Sequence, residues 1–324
     1  MVVLIAIITS LMTPPLLRAA VHFVPINEDE SERFRQQDQE AKAFFKRNDL
    51  KLLLSSSGGP NAKAIMAFAA PLLRAGRATL TLFMVRNPGR SLREKLVRLI
   101  GQDSHSKSLK NRLEEMEDWA KALEISVNSK LVTSELPEDS ILEECSRGYD
   151  LLFLGAFSSH NPLGGGILES VVSNCPAHVA VFRAAPPPAP PALPKKILIP
   201  TKGDALFPFV LEFAALYAEC VPGTEITVLF VASSDDKMIG LITEAIKGHA
   251  SGKPFSIQQK ILQGSQATDL IIQEAVDGHY DLILLGAIKH LVKERLFFGR
   301  KVEELANRAP CSLAILTPRP GGFR

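Results

Sequence analysis

The chain has 324 residues, 46% of them apolar and 22% charged, with a formal net charge of +2. That length suits two domains, and each has apolar material enough for its own core. The near-neutral charge excludes an electrostatic grip on nucleic acid. Four cysteines (Cys145, Cys175, Cys220, Cys311) lie far apart, with no Cys-x-x-Cys and no nearby histidine pair. This argues against zinc and against a disulfide framework.

Met1 to Met12 is almost wholly apolar and runs into Pro14-Pro15 and Arg18. A complete spanning helix needs about 20 apolar residues, and a secretory signal needs a positive region before the apolar run. Two readings stay open for residues 1–20: the end of a membrane helix whose upstream part lies elsewhere, or a buried or interfacial helix. In the first, Arg18 sits on the cytoplasmic side. Within the connecting segment 21–48, Asn27 to Asn48 is strongly charged, acidic at the front and basic at the back, which matches a helix macrodipole. Phe34, Ala41, Phe44 and Phe45 give this segment a thin apolar stripe, so it reads as a connecting helix.

The first α/β domain spans residues 49–184. Lys51 opens its first strand, and further strands are expected at 78–85, 125–131, 151–155 and 178–182, with helices at 62–74, 109–123 and 139–147. Unbroken apolar runs of this length suit strands buried on both faces, and helices between them indicate a parallel sheet. Residues 185–194 form a Pro-rich spacer. The second domain, 195–318, repeats the plan. Its strands are expected at 196–200, 225–231, 255–262, 282–286 and 312–316, and its helices at 206–219, 237–249, 268–277 and 300–307. Residues 319–324 are a tail. The chain is a duplication: Tyr149-Asp150-Leu-x-x-Leu-Gly155-Ala156 returns as Tyr280-Asp281-Leu-x-x-Leu-Gly286-Ala287. The fold expected is two tandem open, mostly parallel five-stranded sheets flanked by helices.

In such sheets ligands bind beyond the carboxyl ends of the strands. Small or glycine residues stand there in both halves: Ser55, Ser56 and Thr201 after the first strands, and Gly155 and Gly286 after the fourth. Glycine lets backbone amides approach a phosphate, and the next helix N-terminus adds partial positive charge. The same loops serve turn geometry alone in many α/β proteins.

Asp-Leu, an apolar run, Gly, a loop, Gly, a helix, then Ala-Pro-Cys before a last strand resembles the universal stress protein family. The resemblance covers residues 49–184 and 195–318. Nucleotide-binding members carry Gly-x-x-Gly, nine residues, then Gly-Ser/Thr, and the resemblance implies that this loop wraps the phosphates of ATP or another adenine nucleotide. Here Gly286 is followed by Lys289, Gly299 and Arg300, so lysine stands in for the second glycine and arginine for the hydroxyl residue. Lys289 and Arg300 suit an anionic ligand and equally suit solvated surface bases. In the first half Gly155 is followed by Ser158, then Gly164, Gly165 and Gly166, and Ser170 arrives one residue late. That loop keeps backbone amides and hydroxyls and is the better candidate for an ATP-like mode. The acidic residue usual after the first strand is absent in both halves. The resemblance also implies that the halves pack face to face as an intrachain pseudo-dimer, with the final strands near the contact and a homodimer as an alternative.

The run Thr-Ser-Leu-Met-Thr-Pro-Pro-Leu-Leu-Arg, followed by the acidic helix, is similar to the cytoplasmic end of bacterial Kef/NapA-like monovalent cation:proton antiporters. This implies a regulatory module on the cytoplasmic face of the inner membrane, with the antiporter membrane domain as partner. The alternative is a stand-alone cytoplasmic tandem protein. With no paired carboxylates, no nucleophile–base arrangement and no Walker lysine, no enzymatic activity and no metal are expected.

Overall fold

The computed structural model describes residues 28–87, 104–156, 166–185, 193–232, 238–250, 253–288, 290–292 and 295–320. The chain begins with helix α1 (Glu28–Phe45), and the first half follows as β1 (Leu50–Ser55), α2 (Pro60–Arg74), β2 (Ala78–Arg86), α3 (Ser104–Ala122), β3 (Val127–Thr133), α4 (Pro137–Cys145), β4 (Leu151–Gly155), α5 (Gly166–Asn174) and β5 (His178–Arg183). The second half comprises β6 (Lys196–Thr201), α6 (Phe207–Cys220), β7 (Glu225–Ala232), α7 (Met238–Ala250), β8 (Ser256–Gln263), α8 (Ala267–Asp277), β9 (Leu282–Gly286), a short hairpin β10 (His290–Val292) and β11 (Arg295–Phe297), then α9 (Arg300–Arg308) and β12 (Ser312–Thr317). The hairpin is an addition to the elements expected from sequence. Among the described residues no helix is long and apolar enough to cross a membrane, and residues 1–27 lie outside them.

Within each half the strands are parallel, ordered β3-β2-β1-β4-β5 and β12-β9-β6-β7-β8. The chain reverses direction along the sheet between β1 and β4, and again between β6 and β9, which makes two topological switch points. The halves are not separate sheets. β5 and β12 pair antiparallel, from Arg183 opposite Leu313 to Val179 opposite Thr317, and merge everything into one ten-stranded sheet. The halves therefore meet edge to edge rather than face to face. Pairing these edges hides two apolar strands that would otherwise template aggregation. Arg183 reaches across the seam, its Nη2 donating to the carbonyls of Ala309 (2.6 Å) and Cys311 (3.0 Å).

Two apolar layers sandwich the sheet, as alternation along the strands requires: Leu52 and Leu54 of β1 join one layer, Leu53 the other. On the first face α2 and α6 cross at the pseudo-twofold. There Phe68 stacks flat on Tyr217, with ring centroids 4.5 Å apart and planes 4° apart. Tyr217 is fully buried, and its hydroxyl donates to the Pro194 carbonyl at 3.0 Å, which satisfies its one polar atom.

Helix α1 is not a free tether. Its stripe is buried against α6, with Phe34 7% exposed, Ala41 0% and Phe45 3%. Phe34 stacks on Phe207 at 6.3 Å, and Phe45 packs on Phe209 and Phe213 at 5.2 and 5.7 Å. A segment that leads into the first half is thus part of the core of the second.

The duplicated motif has a structural task for each shared letter. Tyr149 donates its hydroxyl to Glu144 at 2.7 Å, and Lys130 donates to the same buried carboxylate at 2.5 Å. Tyr280 and Lys260 do the same for Glu274, at 3.1 and 2.6 Å. Asp150 accepts the Lys51 amide at 2.8 Å, and Asp281 accepts the amides of Lys195 and Lys196 at 2.9 Å, fixing the entry of the neighbouring first strand. Ala156 and Ala287 extend the ladder by donating to Phe182 and Leu316.

Candidate functional site

The loops after the first strands are built alike. The Ser56 hydroxyl accepts the Gly58 amide at 3.0 Å, and the Thr201 hydroxyl accepts the Gly203 amide at 2.9 Å. Each is a side-chain turn that holds the chain before it enters α2 or α6. Ser55 is buried at the end of β1. The glycines closing the fourth strands also have a packing reason. A Cβ on Gly155 would lie 3.0 Å from Cβ of Asn61, and one on Gly286 would lie 2.9 Å from Cβ of Leu206. Glycine at these positions lets α2 and α6 approach the sheet, a purpose independent of any phosphate.

Beyond this the halves diverge. In the first, Asn61 bridges the strand ends: its Nδ2 donates to the Ala156 carbonyl at 2.7 Å and its Oδ1 accepts the Ala184 amide at 2.8 Å. The Arg112 guanidinium donates to the Ser57 carbonyl at 3.2 Å and lies over Gly58. Gly166 opens α5, so Ser170 falls in the second turn of that helix. Ser158, Gly164, Gly165 and, in the second half, Lys289 lie outside the described residues.

In the second half the switch point opens into a cleft of about 520 Å³. Its polar lining includes Thr201, Lys202, Asp204, Arg300 and Lys301, and its floor includes Gly286, Leu206, Phe207 and Val210. Gly299 stands at the N-cap of α9 with φ 97°, a backbone conformation that only glycine adopts at little cost. Among the described residues no side chain caps this helix, and none has an atom where a Cβ on Gly299 would project. The start of α9 therefore directs its first-turn amides at the cleft mouth with partial positive charge. Three cations face one carboxylate here, an arrangement that favours an anion. Four of the residues picked out by sequence, Thr201, Gly286, Gly299 and Arg300, come together in this cleft. Lys202, Asp204 and Lys301 join them without having been singled out. Asp204 is the first acidic residue after the first strand of the second half. It lies three residues past Thr201, and its Oδ1 accepts the Leu206 amide at 3.2 Å.

No protein-family model and no curated protein sequence matches the chain. Solved structures do. A universal stress protein from Archaeoglobus fulgidus DSM 4304 superposes with a TM-score of 0.61 at 16% identity, over 85% of this chain and 98% of that one. A Pseudomonas aeruginosa UCBPP-PA14 structure assigned to the same group gives 0.55 at 17%, over 85% and 95%. The cytoplasmic domain of a prokaryotic cation chloride cotransporter gives 0.47 at 10%, over 83% and 95%, a likeness too slight to carry an argument. The chain thus has the fold of those universal stress protein structures, in two halves joined through their last strands into one sheet.

Proposed function

We propose that this chain is a sensory and regulatory module that binds an anionic ligand of the adenine-nucleotide class in the cleft of its second half and transmits the binding to an antiporter membrane domain. The observation that carries the reading is the cleft itself. Its volume falls in the range of small-molecule sites, it lies at a topological switch point, and Lys202, Arg300, Lys301 and an uncapped helix N-terminus converge on it. Among the described residues that line it, Asp204 is the one carboxylate, and the surplus of cations favours an anionic ligand.

A route outward is built into the packing. Leu206 and Phe207, at the start of α6, line the cleft. The same Phe207 stacks on Phe34 of α1, which continues toward the apolar N-terminal segment. A ligand that shifts the start of α6 would bias the seating of α1, provided it binds one arrangement better than the other. Calorimetry on the full chain with ATP, AMP and cyclic dinucleotides tests the binding. Saturable binding weakened about 10-fold or more in Lys202→Ala and Arg300→Ala is expected. No heat and no thermal stabilisation with any of these nucleotides would sink the reading. Ion flux by a reconstituted antiporter carrying this region tests the regulatory half, and flux unchanged by nucleotide would overturn it.

A further inference from the structure

A second polar cluster lies away from the cleft, where α1 crosses α6 and α7. Asp38 of α1, Glu212 of α6 and His249 of α7 each point a ligand-type atom at the others, and those three atoms lie within 4.8 Å of one another. His249 is 5% exposed. Its Nδ1 lies 2.7 Å from the Ala245 carbonyl, which can only accept, so Nδ1 carries a proton. Nε2 then faces Glu212 Oε1 at 2.5 Å. Either a second proton sits between them, or a cation takes its place. A backbone carbonyl on one imidazole nitrogen is the usual support for metal ligation by the other, because it sets the tautomer and the ring orientation. Asp38 adds an independent sign. Its Oδ2 accepts from Lys42 at 2.5 Å, whereas its Oδ1 is buried with no hydrogen-bond partner among the described residues. An unsatisfied buried carboxylate oxygen is costly, and a bound cation would satisfy it.

We propose that Asp38, Glu212 and His249 form a binding site for a divalent transition-metal ion of the zinc type, which staples helix α1 to helices α6 and α7. One imidazole and two carboxylates are a donor set zinc accepts, with bonds of about 2.0–2.2 Å, which set ligand atoms about 3.4 Å apart, so His249 and Glu212 would part slightly to admit the ion. Further coordination comes from the adjoining cavity of about 250 Å³, which Lys42, Lys46, Arg77, Glu219 and Lys253 also line. Glu219 is engaged by Lys253 at 2.5 Å and by Arg77 at 3.7 Å, which leaves Lys42 as the cation that shares Asp38 with the metal. Because the metal replaces a proton on Nε2, its affinity falls on acidification. The three ligands come from distant parts of the chain, so no spacing rule could have found them. The site is independent of the nucleotide reading, since none of its three ligands lines the cleft of the second half.

The test uses the full chain, stripped with a chelator and titrated with zinc chloride against a chromophoric competitor, with magnesium chloride in parallel. One zinc per chain is expected, with magnesium far weaker. Affinity should drop at least about 10-fold in Asp38→Asn, Glu212→Gln and His249→Gln and stay unchanged in His279→Gln, which alters an exposed histidine elsewhere. Zinc should also slow hydrogen exchange along α1 in the parent and not in Asp38→Asn, a conservative change on a half-buried side chain. Absence of stoichiometric zinc binding, zinc binding retained in all three variants, or magnesium binding as tightly as zinc would overturn the proposal.

Discussion

Replacing Phe34 by alanine tests whether the connecting helix belongs to the folded body. Phe34 is 7% exposed and rests on Phe207, so the substitution deletes a buried ring and leaves a gap between α1 and α6. Truncating a buried phenylalanine costs about 3–5 kcal/mol. Phe34 lies toward the outer end of α1, where the site can partly collapse, so a value of about 3 kcal/mol is apt. At about 1.4 kcal/mol per tenfold, that lowers the ratio of docked to undocked α1 by a factor of about 150. Amide hydrogen exchange resolved along the chain is the assay, since local opening is measured segment by segment. Protection in α1 should fall by about that factor, while β1, β4, β6 and β9 keep theirs. Unchanged protection in α1 would mean that the docking contributes nothing. An equal loss throughout the sheet would mean that α1 does not open as a unit, and the coupling route through Phe207 would lose its physical basis.

Gly286→Ala should lower stability by about 1–3 kcal/mol, read from chemical denaturation, because its Cβ would press on Leu206 and Val210 at 2.9 and 3.0 Å. Gly240→Ala in α7, with no atom of the described residues near its Cβ, should instead gain about 0.5–1 kcal/mol. Arg183→Met leaves the Ala309 and Cys311 carbonyls without their charged donor and should cost about 2–3 kcal/mol, seen as a lower Tm. The two buried histidines should give opposite pH dependences. His178, 2% exposed, accepts the Arg319 amide on Nδ1 and so stays neutral, and burial together with the Arg319 charge pushes it down to about 4. Between its unfolded value of about 6.5 and that point, the unfolded chain takes up a proton the folded one refuses. Acidification should therefore remove up to about 3 kcal/mol, a slope that His178→Gln flattens. For His249, burial opposes the charged form, but Glu212 outweighs it and the pKa is raised. Its contribution is complete below the unfolded value and disappears as pH rises through the folded one, which Glu212→Gln should abolish.

The sequence by itself determined the duplication, the strands and most helix positions, because unbroken apolar runs such as 151–155 and 282–286 have few other ways to be buried, and a repeat gives each assignment twice. Four residues it singled out at the strand ends of the second half, Thr201, Gly286, Gly299 and Arg300, line one cleft. Periodicity states that a face is buried but not what covers it, and only the tertiary structure decided the partners. It joined β5 to β12 across the seam, laid α1 on α6, and turned Gly155 and Gly286 into packing positions, because a missing Cβ has meaning only beside a neighbour. It put Ser170 in the second turn of α5, because a helix start depends on the loop before it. It also brought Asp38, Glu212 and His249 within reach of one another. Such long-range meetings are decided by which apolar surfaces close on each other, and three polar residues on three helices carry no local trace of that choice.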